Sequence, residues 1–161
     1  MKRVLNPGKY NATLTDYLRE VHCVCPSCGG HAYINAEAKY AMPWKPTNVR
    51  LICTNCARRE AWPSGNFKSK FENFDPRNGC EPYFGYKFYF SRIICGENIS
   101  IFSPEHARDI AEYIAVHDRP SPQNSKWAMV NRLPKKLKLA KNRDTVLKAL
   151  KSIIEEAQCP A

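Results

Sequence analysis

The apolar positions of this chain fall into two regimes. In the second half they recur at helical and then strand spacing. Val146, Leu147, Leu150, Ile153, Ile154 and Ala157 step by three and four residues, the stripe of an amphipathic helix. Asn142 stands where its N-cap belongs, with Asp144 in the first turn. Ile110, Ala111, Ile114 and Ala115 make a second stripe. It follows Ser103-Pro104-Glu105, which has the order of a helix start: Ser as cap, Pro in the first turn, then an acid. Arg119-Pro-Ser-Pro-Gln-Asn124 ends that helix. Ser125 is a cap for a short helix carrying Trp127 and Val130, and Pro134 breaks the pattern so that a new helix starts there.

Before these helices, Tyr86–Ile94 is aromatic and β-branched and predicts a strand. Its alternation sets Tyr86, Phe88 and Phe90 toward a core and Lys87 and Ser91 opposite. Exposed aromatics such as Tyr83, Phe84 and Tyr89 can stack nucleic-acid bases, but core packing is the simpler reading here. Cys95-Gly96-Glu97-Asn98 has turn chemistry, and Ile99–Phe102 is the return strand of a hairpin.

The first half has shorter runs. Leu14, Tyr17, Leu18 and Val21 suggest a helical arm over residues 1–21, capped by Thr13 or Thr15. His31–Asn35, Val49–Ile52 and Arg58–Trp62 read as strands of a module spanning 22–62, with Met42–Asn48 as a loop rich in turn formers. Residues 63–82 read as a connector punctuated by Pro63, Gly65, Pro76, Gly79 and Pro82. Its Phe67, Phe71 and Phe74 suggest that it lies against a surface. Residues 83–161 complete the chain with the hairpin and helices. The whole reads as an α+β protein.

Chemistry enters with the cysteines. Cys25-Pro-Ser-Cys28 and Cys53-Thr-Asn-Cys56 each place two residues between their sulfurs, so that one tight turn aims both thiolates at a point. Two such turns make an S4 tetrahedron, whose usual occupant is Zn²⁺. Four thiolates leave no open position for water, so one structural Zn²⁺ is expected. A redox Cys-x-x-Cys opens a helix, which Gly29-Gly30 disfavours. Disulfides are the third reading, and they suit an oxidising compartment. Cys23 is a substitute ligand at poorer spacing. His22 and His31 flank the first turn and are expected beside the site rather than in it. Cys80, Cys95, His106 and His117 are too scattered to support a second site.

With Cys25-Pro-Ser-Cys28-Gly29-Gly30 and Cys53-Thr-Asn-Cys56, residues 22–62 resemble zinc ribbons of the general transcription factor IIB type. That resemblance implies a small antiparallel sheet with two knuckles around one zinc. With Tyr83-Phe-Gly85, Cys95-Gly96, Asn131-Arg-Leu-Pro134 and Ala140-Lys-Asn-Arg143, the later part is similar to a group of small bacterial zinc-ribbon proteins. That likeness implies a common architecture and transfers no activity, because ribbons serve in transcription, in replication and as docking modules.

Charge sharpens the picture. The chain of 161 residues carries a formal net charge of +10. Lys126, Arg132, Lys135, Lys136, Lys138, Lys141, Arg143, Lys148 and Lys151 fall in one stretch whose only acid is Asp144. Such a segment can lie along a phosphate backbone, or it can be a solvated face that keeps the protein soluble. Arg58 and Arg59, beside the second knuckle, extend the basic surface. No apolar run approaches the roughly 20 residues that span a bilayer, and the N-terminus lacks the apolar stretch of a secretory signal. A reducing, cytoplasmic setting is therefore expected. There is no Walker-type loop, no nucleophile motif and no paired carboxylates in a recognisable setting, so an enzyme is not expected. The leading expectation is a non-enzymatic, nucleic-acid-binding accessory protein. The alternative is a protein-interaction module, such as an immunity or adaptor protein, that docks an acidic partner.

Overall fold

The computed structural model describes residues 11–38, 46–62, 74–119 and 128–159. The architecture is α+β. Strands β1 (Glu20–Val24), β2 (His31–Ala38), β3 (Pro46–Cys53) and β4 (Arg59–Ala61) form an antiparallel sheet in sequence order. Strands β5 (Phe90–Ile94) and β6 (Glu97–Ile101) form a separate hairpin. Helices α1 (Pro104–Ala115), α2 (Met129–Arg132), α3 (Lys135–Lys138) and α4 (Arg143–Gln158) follow. The chain divides into two compact units. One is the sheet unit, Thr15–Arg92 with Ile99–Ser103; the other is the helical unit, which includes Ile93–Asn98 and the chain from Pro104 onward.

In the sheet unit, alternation decides what is buried. Val21 pairs with Ile34 and Ile34 with Leu51, while Cys23 pairs with Ala32 and Ala32 with Cys53. All six are buried, so one face of the sheet is a continuous apolar layer. Tyr17, Leu18, Phe88, Phe90 and Phe102 are among the other buried residues of this unit, with Phe88 stacked on Phe102 at 4.9 Å between ring centroids.

The expected helical arm is, among the described residues, a single 3-10 turn at Leu14–Tyr17. The chain then enters β1, which carries Val21. Leu18 and Val21 sit three apart, but Val21, His22 and Cys23 are all buried in a strand, and pairing with β2 settles the backbone. Pro46, Thr47 and Asn48, read as loop, belong to β3. Pro46 stands first in that strand, where its missing N–H costs nothing to the ladder.

The strand read over Tyr86–Ile94 is laddered only from Phe90; Lys87 and Phe88 make isolated bridges to Cys80 and Cys23. Just before it lies Glu81, 1% exposed, whose carboxylate accepts from the N–H groups of Tyr83, Phe84 and Tyr86 at 2.6, 3.0 and 2.8 Å. The loop is wrapped around that carboxylate. Burial raises the Glu81 pKa even against these donors. The Tyr83 hydroxyl donates to the Leu18 carbonyl at 2.8 Å and the Trp62 indole donates to the Tyr83 carbonyl at 3.1 Å, which fix the loop to the sheet unit. The hairpin turns on Cys95 (φ 53°) and Gly96 (φ 80°), the pair of positive φ values that a two-residue type I′ turn requires.

In the helical unit, α1 buries Ala107, Ile110, Tyr113 and Ile114 against α4, which buries Val146, Leu150 and Ile153. Both stripes match the periodicity in the sequence. Asn142 occupies the N-cap position of α4, but its side chain donates to the Lys136 carbonyl at 2.8 Å rather than capping. A 3-10 turn, Ala140–Asn142, leads into the helix instead.

Candidate metal centre

Strand β1 delivers Cys25 to the first knuckle and β3 delivers Cys53 to the second. In both, the cysteine N–H reaches five residues on: Cys25 to the Gly30 carbonyl at 2.8 Å and Cys53 to the Arg58 carbonyl at 2.9 Å. In both, the residue after the second cysteine is left-handed, Gly29 at φ 70° and Ala57 at φ 57°. The sequence signals the first through glycine; the second, on an alanine, carries no such signal. Gly30 is small for a different reason: a Cβ there would meet Asn55 Cβ at 3.2 Å and Cys28 Sγ at 3.3 Å.

The Sγ atoms of Cys25, Cys28, Cys53 and Cys56 lie within 4.8 Å of one another. Cys25 and Cys56 are 3.7 Å apart and Cys28 and Cys53 3.6 Å. A tetrahedron with metal–sulfur bonds of about 2.3 Å has edges of about 3.8 Å. The cluster therefore fits one metal ion with four sulfur ligands, a closed site with no position left for a reacting molecule. Zn²⁺ and iron are the ions that such an S4 set takes.

Backbone donors prepare the sulfurs for that charge. The Gly30 N–H lies 3.4 Å from Cys28 Sγ, and the Asn55 and Cys56 N–H groups lie 3.3 and 3.4 Å from Cys53 Sγ. The Gly30 N–H, seconded by the Asn55 side chain, pulls the Cys28 thiol down to about 6. The Cys56 N–H draws the Cys53 thiol down as well. At Cys56 the Arg58 backbone N–H pulls downward, but the neighbouring sulfur of Cys53 and burial outweigh it, and the thiol is pushed up to about 11. Four thiolates this close cannot all ionise without a cation among them.

Cys23 is not a substitute ligand. It is fully buried on the apolar face outside the four-sulfur group, and burial pushes its thiol up to about 12. His22 and His31 bond to each other instead of to a metal, Nδ1 to Nε2 at 2.7 Å. His22 Nε2 is 2.7 Å from Glu20 Oε1, and His31 Nδ1 is 3.3 Å from the Thr54 hydroxyl. This chain of contacts joins β1, the start of β2 and the second knuckle. Among the described residues, Cys80, Cys95, His106 and His117 do not gather into a metal-ligating group. His106 is buried in α1 and its pKa is lowered to about 3 by desolvation.

The basic residues divide by engagement. Arg58 donates to Ser27 at 2.6 Å and pairs with Glu60 at 3.2 Å, whereas Arg59 is exposed. Lys135 and Lys141 are exposed; Lys136 pairs with Glu97 at 3.1 Å. Lys138 is half-buried, with its Nζ 3.5 Å from the Val130 carbonyl, and burial first, then Arg119 and Lys135, lower its pKa. Arg143 serves the end of α1, donating to the Ile114 carbonyl at 3.2 Å. Arg119, a residue the sequence did not single out, donates to the Val116, Ile114 and Lys138 carbonyls at 3.1, 3.0 and 2.9 Å. These two arginines satisfy carbonyls that a helix leaves unpaired and face its negative end. Arg132, Lys148 and Lys151 are exposed, the last 3.7 Å from Glu155. Lys126 lies outside the described residues, as do Phe67 and Phe71.

No family model matches the chain, and no curated protein or solved structure matches it either. Among the described residues, no helix is long and apolar enough to cross a membrane.

Proposed function

We propose that this is a non-enzymatic zinc-ribbon protein that binds nucleic acid. Zn²⁺ is held by Cys25, Cys28, Cys53 and Cys56, and cations of α3 and of the turn before α4, Lys135 and Lys141, lie against phosphates. The observation that carries the reading is the crowding of like charge in the helical unit. Lys138 has its pKa lowered partly by Arg119 and Lys135, and Lys135 and Lys141 project into solvent nearby in sequence. A cluster that repels itself in isolation is relieved by a polyanion, with release of counterions.

The test is anisotropy titration of a labelled 20-mer, single-stranded and duplex, across a salt series. The expected result is tight binding at low salt that weakens steeply as salt rises. Lys135→Ala and Lys141→Ala should each reduce the slope of log affinity against log salt by about 1. Absence of binding at low salt overturns the reading. Capture of one stoichiometric, acidic protein, insensitive to nuclease, would support the adaptor role instead.

A further inference from the structure

The second face of the ribbon sheet is built differently from the first. Register places His22, Tyr33, Ile52 and Arg59 side by side, one from each strand. The adjoining row is Glu20, Asn35, Arg50 and Ala61. The opposite face is sealed by Val21, Ile34 and Leu51, whereas here Tyr33 and Ile52 are half-exposed and Arg50 and Arg59 exposed. The rings continue past the row. His22 and His31 are 4.9 Å apart by centroid, His31 and Tyr89 4.8 Å, and His31 and Tyr33 6.4 Å. His22 is buried, with Phe90 5.2 Å from it by centroid, so the half-exposed rings of this strip are His31, Tyr33 and Tyr89, and the other end of the face carries guanidinium groups. Among the described residues Arg59 has no ion-pair partner, and Arg50 donates only to Asn48, at 3.3 Å. Of the acids on this face, Glu20 is taken up by His22 at 2.7 Å, and Glu37 lies exposed at the far end of β2.

We infer that this face is a stacking platform for single-stranded nucleic acid, with Tyr33 and His31 under the bases and Arg50 and Arg59 on the phosphates. The inference rests on the nucleic-acid reading above and adds to it a second binding element, on the ribbon rather than the helices. A single strand is the occupant because its bases are free to lie on ring faces. In a duplex the π faces are hidden in the stack, and reading its base edges takes an element that enters a groove. Half-exposed rings beside exposed arginines that make no described ion pair match the first substrate, since stacking and phosphate attraction together hold single strands.

The experiment compares oligo(dT), oligo(rU) and a duplex of equal length against the zinc-loaded full chain. Tyr33→Ala is expected to weaken single-strand affinity by between about 5-fold and about 150-fold, the worth of one stacked base. Duplex affinity stays unchanged, and Tyr33→Phe restores single-strand binding. The double variant Arg50→Ala/Arg59→Ala, which leaves the rings in place, should lower the single-strand salt slope by about 2. Zinc content of one per chain confirms that each variant is folded. Oligo(dT) and oligo(rU) distinguish DNA from RNA as the strand bound. If single strands bind and lose affinity only with Lys135→Ala and Lys141→Ala, the platform is overturned while the nucleic-acid reading stands. If no nucleic acid binds the parent chain at all, that reading fails as well.

Discussion

At the scale of single residues, burial sets the chemistry more firmly than residue type does. His106 and Cys23 are both groups that can ligate metal, and both are withdrawn from that role by the interior. His106 is neutral in the fold because desolvation lowers its pKa to about 3, against a weaker upward pull from Asp109. The sign of the consequence is fixed. Below an unfolded pKa near 6.5 the unfolded chain binds a proton that the folded chain refuses, so stability is full above that value and falls as pH drops toward 3. Urea unfolding should therefore show a loss of about 2 kcal/mol between pH 7 and pH 5 from this group alone. His106→Leu should flatten the profile over that window. An unchanged pH dependence in the variant would show that other groups set it.

At the scale of elements, two devices hold segments whose backbone has no regular partner. The loop Glu81–Tyr86 is organised by a buried carboxylate, and the end of α1 by the guanidinium groups of Arg119 and Arg143. Neither is visible as periodicity. Glu81→Ala strands the N–H groups of Tyr83, which is buried, and of Phe84 and Tyr86, which are part-buried. At about 1–3 kcal/mol for each unsatisfied donor, the expected cost is at least about 3 kcal/mol by denaturant unfolding. A cost below about 1 kcal/mol would mean that water replaces the carboxylate. Arg143 sits in the basic stretch by sequence but bonds backbone carbonyl in the fold. Cations whose charge is not so engaged remain exposed, Lys135 and Lys141 among them.

At the scale of the whole molecule, the metal and the sheet are one problem. Strands β1 and β2 are joined through the first knuckle, and β3 and β4 through the second, so the sulfurs close two of the three connections of a four-stranded sheet. Zinc coordination by such a set contributes on the order of 10 kcal/mol of coupled folding free energy. Chelation should release one Zn²⁺ per chain, abolish the near-ultraviolet signal of the ribbon aromatics, and be reversed by one equivalent of Zn²⁺. Cys53→Ser should lose both metal and signal. Metal-free chain with its aromatic signal intact would show that the apolar layer suffices without the ion.

Features with a local cause could be read from the residues alone. Ligand spacing is such a feature: two residues between sulfurs dictate a turn, and two turns dictate a tetrahedral cluster. The stripes of α1 and α4, and the turn at Cys95-Gly96, are equally local. Features with a distant cause could not be read. Val21 is a strand residue because β2 lies beside it, not because of its neighbours in the chain. Ala57 adopts a left-handed backbone because the second knuckle repeats the first. Glu81 is a hub because a loop closes around it. Tyr33 shares a row with Arg59 only through the register of two strand pairs, β2 with β3 and β3 with β4. Periodicity and spacing determined the α+β class and the four sulfurs. The fold alone decided which charges are engaged, which rings line the open sheet face, and which histidine is denied its proton, because burial and cross-strand neighbours are properties of the packed chain.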